Sequence, residues 1–278
     1  MSTSTNLEHK LTRLKLSRIR EVYPSWIAQA EHHQRGYAEF LDELLSEELV
    51  GRQENQIRRK LKAAGFPFAA TLEGFDFSLR PELKRAVMVR FFDSAFIEQA
   101  GALILIGPSG TGKTHLTIAL GTRMVQLGYS VRFVTAQQFA NAILAATSRP
   151  EVERVLRPLI HCDLLIVDEF GYLPVASQLG PALYELISAR YLQRATVMTS
   201  NKSLARWGEV IGGDTALMMA MIDRLLHHGE VFYLRGASHR MRGKEPVVLT
   251  PSGTSQSSPS AMGTEPPAVL GNIAAERG

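Results

Sequence analysis

The eight residues Gly107, Pro108, Ser109, Gly110, Thr111, Gly112, Lys113 and Thr114 fit the pattern G-x-x-x-x-G-K-[ST]. Small residues let a backbone fold around phosphate oxygens with its N–H groups pointing inward. A helix opening at Lys113 aims its positive dipole end at the same charge. In such a cradle the Lys113 amine reaches the β- and γ-phosphates of a nucleotide, and the Thr114 hydroxyl ligates Mg²⁺.

A second group lies in LLIVDE, residues 164–169, where four apolar residues run into two carboxylates. A buried strand carries Asp168 to its end, where the carboxylate holds the metal through water. Glu169 is then placed to polarise an attacking water as general base. Asp168 follows Lys113 by 55 residues, which suits two strands of one parallel sheet presenting their C-terminal ends to one crevice. The next apolar run ends in Thr199, Ser200 and Asn201. The Asn201 amide either orients the water against the γ-phosphate or serves as a helix cap or turn residue. Arg224, in the helix-patterned ALMMAMIDRLLHH, either pairs locally with Asp223 or projects into a neighbouring subunit's nucleotide as an arginine finger. His227 and His228 suit the negative end of that helix better than a metal, and Cys162 beside a strand suits the core.

The elements that position these groups follow from hydrophobic pattern. Apolar runs at 102–106, 130–135, 163–168, 195–200 and 230–235 read as strands. Amphipathic stretches at about 113–127, 137–146, 151–161, 178–193 and 215–228 read as the helices between them. That alternation predicts an α/β fold with a parallel sheet covered on both faces. Residues 1–66 read as a small all-helical N-terminal domain, with Pro24 and Gly36 breaking it into three or four helices. Its basic clusters, Lys10 to Arg20 and Arg52 to Lys62, are either a solvated face or a binding surface. Residues 67–79 read as a linker, 80–250 as the nucleotide-binding domain, and the Ser- and Pro-rich 251–278 as a disordered tail.

Composition bounds the class. The 278 residues are 45% hydrophobic and 21% charged, ordinary values for a globular protein. A net charge of +4 is compatible with a nucleic-acid partner without requiring one. One cysteine excludes an internal disulfide. The N-terminus has no signal-peptide pattern, and no uncharged apolar run approaches the roughly 20 residues of a membrane helix. The reading is a cytoplasmic protein with no membrane partner.

GPSGTGKTHL, LLIVDEFGYLP, TSNKSLARWGEVI and AMIDRLLHHGEVFYLRGASHR together resemble the IstB-type helper ATPases of bacterial insertion-sequence transposition. These are AAA+ proteins of the initiator and helicase-loader group, related to DnaC. The resemblance spans roughly residues 7–249 and takes in LTRLKLSRIR and LEGFDF. It implies a P-loop AAA+ three-layer sandwich with a five-stranded parallel sheet in the order 5-1-4-3-2. It implies sensor 1 at Asn201, an arginine finger at Arg224 and a sensor 2 at Arg240. Little sequence separates Arg240 from the expected disordered tail, a departure from the family that predicts little or no lid. It also implies ATP and Mg²⁺ as cofactors, and a bacterial homo-oligomer that assembles non-specifically on double-stranded DNA. ATP turnover would then regulate or direct a cognate transposase, with the N-terminal helices making oligomer, transposase or DNA contacts. A DnaC-like helicase loader shares the same ATPase core. A metabolic P-loop kinase would leave Asp168, Glu169 and Asn201 unexplained, and an ATP-switched scaffold would not need Glu169.

Overall fold

The apolar runs at 102–106, 164–170 and 195–200 are buried almost throughout and form the centre of one parallel sheet, with the half-buried runs at 131–135 and 229–233 along its edges. A computed structural model describes residues 3–33, 36–171, 179–211 and 214–236. All of these lie in the compact unit Met1–Arg242; the segment from Gly243 onward, with the predicted tail, is outside the described residues.

Three helices open the chain: α1 (Thr3–Arg13), α2 (Ser17–His33) and α3 (Tyr37–Ala64). Leu11, Ile19, Tyr23 and Leu44 form their shared core, with Trp26 and Phe40 packed against it. The expected break at Pro24 does not occur, since Pro24 lies inside α2. A mid-helix proline costs about 3 kcal/mol, and burial of Ile19 and Tyr23 in the turns just before it offsets that cost. The chain instead turns at Leu14–Leu16, where Lys15 takes a left-handed φ of 55°. Gly36 caps the start of α3, and Gly65, at φ 78°, ends it. At its C-terminal end α3 leaves the helical cluster and packs Ile57, Leu61 and Ala64 against the sheet layer.

Two short helices, α4 (Arg85–Val89) and α5 (Ser94–Glu98), precede β1 (Ala102–Ile106) and α6 (Lys113–Gln126). Then follow β2 (Val131–Thr135), α7 (Ala136–Ala145), α8 (Arg149–His161), β3 (Leu164–Phe170), α9 (Leu179–Arg190) and β4 (Ala195–Ser200). A stretch of 3-10 turns over Leu204–Ile211, α10 (Thr215–His227) and β5 (Gly229–Tyr233) complete the described unit. The sheet order is β2-β3-β4-β1-β5, all pairs parallel, which is the order the resemblance implies. Asn201 thus follows the strand lying between the two strands that carry Gly107 and Asp168.

Side chains alternate across the sheet as period-two geometry requires. Leu103, Leu105, Leu164, Ile166 and Val197 join α6 in one core. Ile104, Ile106, Leu165, Val167 and Met198 join α7 to α10 in the other. The result is three layers with the strand ends left free to build a site.

Candidate nucleotide site

A cleft of about 310 Å³ opens at the C-terminal ends of β1, β3 and β4. Its wall includes Ser109 to Thr114, Glu169, Thr199 and Asn201. The volume lies at the lower end of small-molecule and cofactor sites.

The loop after β1 is held from both sides. Gly107 donates its N–H to the Ser200 carbonyl at 3.0 Å, and Leu234 donates to the Ile106 carbonyl at 2.7 Å. A Cβ on Gly107 would collide with the Leu234 carbonyl oxygen. Gly112, immediately before α6, has φ 94°, and a Cβ there would meet the Phe75 ring at 2.5 Å. Both positions therefore need glycine, one for close approach and one for backbone conformation. Lys113 is buried, and its Nζ donates to the carbonyls of Gly107 at 2.7 Å and Pro108 at 2.8 Å. Pro108 also accepts from the Thr111 hydroxyl at 2.8 Å.

Asp168 is only 3% exposed. The Thr114 hydroxyl lies 3.1 and 2.9 Å from its two carboxylate oxygens, so the predicted metal-binding pair is side by side. One hydroxyl and one carboxylate, both hard oxygen donors, fit Mg²⁺, which keeps several waters and takes its other ligands from phosphates. No cluster of three or more His, Cys, Asp or Glu suited to a metal occurs among the described residues. Glu169 points the other way: it is exposed, lines the cleft and has a left-handed φ of 59°. Asn201 lines the same cleft. The structure thus gathers Gly107–Thr114, Asp168, Glu169 and Asn201 at one end of the sheet.

Arg224 is elsewhere. It borders a small depression with Ala102 and Thr196, the first or second residues of β1 and β4, at the opposite end of the sheet. Its Nη1 donates to the Ala220 carbonyl at 2.8 Å and its Nη2 to the Tyr184 hydroxyl at 3.0 Å. The guanidinium also stacks on the Tyr184 ring at 4.9 Å. Arg240, with Tyr172 to Pro174 of the LLIVDEFGYLP stretch, lies outside the described residues. Cys162 is buried in the core, where burial pushes its thiol pKa up, and His227 contacts the Tyr191 hydroxyl at 2.7 Å.

Three parts of the site escaped the sequence reading. Residues 67–79 form a wall of the cleft through Phe68, Gly74, Phe75, Asp76 and Leu79. Phe75 packs edge-on against Phe77 with centroids 4.8 Å apart, and the buried Arg80 donates to the Thr111 carbonyl at 3.1 Å. The aromatic spacing in LEGFDF was the available signal. Trp207 is 1% exposed, packs on Phe170 with ring centroids 4.5 Å apart and donates to the Ser200 hydroxyl at 3.1 Å. It ties the end of β3 to the end of β4. Thr199 is the third, with its hydroxyl 2.5 Å from Asp168.

The chain resembles known proteins along most of its length. An ATP-binding protein of insertion sequence IS21 from Pseudomonas aeruginosa is 37% identical over 249 residues, covering 89% of this chain and 94% of that relative. The crystal structure of DnaI superposes with a TM-score of 0.51 at 16% identity, covering 64% of this chain and 94% of that one. AMPPCP-bound DnaA from Aquifex aeolicus gives 0.52 at 20% identity, covering 64% and 54%. At such identities these two likenesses are of fold, and the fold is that of P-loop AAA+ proteins. Residues 9–246 match the family model described as IstB-like ATP binding protein. A phosphate loop with buried Lys113, a Thr114–Asp168 pair beside it and this match over most of the sequence lead to one conclusion: the chain belongs to the IstB-like ATP-binding proteins of insertion sequences.

Proposed function

We propose that this protein hydrolyses Mg²⁺-bound ATP, assembles as a homo-oligomer on double-stranded DNA, and through ATP turnover regulates or directs a partner transposase. The observation that carries the ATPase reading is the divergence of adjacent carboxylates. Asp168 is buried against Thr114 while Glu169 is exposed in the same cleft. Lys113 and the loop N–H groups hold the phosphates, and Thr114 and Asp168 hold the cation. A bound Mg²⁺ would neutralise charge developing on the phosphates. Glu169 takes a proton from water, and Asn201 orients that water. Arg224 faces away from its own cleft and supplies charge to a neighbour's.

The DNA and transposase reading draws on the insertion-sequence relative and on surface chemistry. Lys10, Arg13, Arg58, Arg59 and Lys62 are exposed on the N-terminal helices, and Lys15 in the turn between α1 and α2. Tyr37, Leu41, Leu45 and Leu49 fall at four-residue intervals on α3 and are exposed too, a row that a protein partner would cover. No described helix is long and apolar enough to cross a membrane.

The test is affinity for double-stranded DNA of unrelated sequences as salt is varied, with ATP present, together with ATP turnover with and without that DNA. Binding should be sequence-tolerant and should fall with a log–log salt slope of about −0.9 per neutralised phosphate. A flat salt response, or turnover indifferent to DNA, would contradict the DNA-coupled reading.

A further inference from the structure

β3 and β4 fall out of step at the site. Val167 pairs with Met198 and Phe170 with Ser200, so Asp168 and Glu169 together face a single residue, Thr199. This is a bulge of two residues against one. It explains why Val167 and Phe170, three apart, both enter the same core, where a regular strand would send them to opposite faces. It also frees the two carboxylates to diverge. A bulge leaves an extra backbone group without a ladder partner, and Glu169 carries the added strain of a left-handed φ of 59°.

One side chain meets these needs. The Thr199 hydroxyl accepts the Glu169 N–H at 2.9 Å and donates its proton to Asp168 Oδ1 at 2.5 Å. Thr199 is fully buried. We infer that Thr199 is a positioning residue: its hydroxyl fixes Asp168 toward the Thr114 cation site and holds the Glu169 backbone in the turn that lifts its carboxylate into the cleft. The inference rests on the ATPase reading for the roles of the two acids, but its geometry can be tested without turnover. Valine matches threonine in shape and has neither donor nor acceptor, whereas serine keeps both.

The experiment compares the full-length parent with Thr199→Val and Thr199→Ser, using N-methylanthraniloyl-ATP as the probe. Without Mg²⁺ all three should bind the probe within about threefold of one another, because Thr199 is directed at the acids and not at the phosphate loop. With Mg²⁺, Thr199→Val should need roughly 10- to 100-fold more cation to reach half-saturation, the range expected for losing a hydrogen bond to a buried charge. Thr199→Ser should return to within about threefold of the parent. Turnover by Thr199→Val should fall at saturating probe-free ATP as well, a loss in kcat rather than in KM.

A valine variant with the parent's Mg²⁺ requirement would overturn the inference, as would a serine variant that behaves like valine. If valine does not fold, hydrogen exchange of the Glu169 amide in the parent and in Thr199→Ser decides. Strong protection in both supports the hydroxyl–amide bond, and fast exchange in the parent overturns it. A parent that binds Mg²⁺ and nucleotide but never hydrolyses ATP would remove the ATPase reading and still leave the Mg²⁺ comparison to judge Thr199.

Discussion

Replacing Arg224 with alanine separates a subunit that completes its neighbour's site from one that merely holds itself together. Arg224 sits near the starts of β1 and β4, whereas the phosphate loop follows the end of β1. Five residues at about 3.3 Å each put the two ends roughly 16 Å apart, too far for a guanidinium to reach its own γ-phosphate from that depression. Locally, the side chain makes two hydrogen bonds, to Tyr184 and Ala220, and lies over the rings of Tyr184 at 4.9 Å and Tyr191 at 5.9 Å. At about 1 kcal/mol per hydrogen bond and about 0.5 per ring contact, its removal should lower stability by about 3 kcal/mol. An arginine finger is worth 10³–10⁵ in turnover, or about 4–7 kcal/mol of barrier. The two roles therefore differ in both size and observable. Thermal unfolding reads the first, and ATP turnover in the assembled protein reads the second. Tyr184→Phe is the control: it removes one local hydrogen bond but keeps the guanidinium, so it should cost about 1 kcal/mol of stability and little turnover. Mixing completes the assay. Arg224→Ala retains Lys113 and Glu169, while Glu169→Gln retains the arginine, so neither should turn over alone and a mixture should recover part of the rate. Full activity of Arg224→Ala alone, or no recovery on mixing, would refute action in trans.

Lys113→Ala should abolish tight ATP binding, measured by equilibrium titration, while the unfolding profile of the sheet is retained. The Nζ holds the carbonyls of Gly107 and Pro108 and supplies the loop's fixed positive charge. Glu48 governs a pH response in the N-terminal helices. It is buried, and burial pushes its pKa up; hydrogen bonds from Arg52 and from the Ile19 and Arg18 amides outweigh this and hold it below the ordinary 4.5. A depressed carboxylate stabilises the fold above its unfolded pKa, and that contribution is lost as pH falls through the lower folded value. Proteolysis within α1 to α3 should accelerate as pH falls below the ordinary 4.5 of a glutamate, whereas Glu48→Gln, which cannot titrate, should be cleaved faster than the parent at neutral pH and lose this part of the pH dependence.

The contiguous parts of the site were legible because their chemistry is local. Gly107–Thr114 carries its own loop geometry, and LLIVDE carries both a buried strand and its terminal acids. The strand pattern gave five parallel strands, and the family resemblance gave their order. Pairing was not legible. β3 runs on to Phe170, beyond the expected end at 168, and its bulge exists only because Val167 and Phe170 meet Met198 and Ser200. Thr199 lies 31 residues from Asp168, so its hydrogen bond cannot be read from spacing. β5 spans Gly229–Tyr233 rather than 230–235, since its register is set by β1. Residues 67–79 looked like a linker because their apolar groups follow no helical or strand period; burial of Ala70, Leu72 and Phe75 reflects contact with distant residues. Pro24 misled because its local helix penalty is outweighed by packing that forms only when α2 meets α3.

The central claim is that the cleft binds Mg²⁺-ATP and that Glu169 drives its hydrolysis, and Glu169→Gln tests it most directly. The substitution keeps size and shape, removes the base, and leaves Lys113, Thr114 and Asp168 in place. ATP affinity in Mg²⁺ and single-turnover hydrolysis should be measured on the same preparations of parent and variant. The account predicts affinity within about threefold of the parent and hydrolysis slowed by roughly 10²–10⁴, the usual contribution of a general base. Hydrolysis at the parent rate with ATP still bound would contradict it.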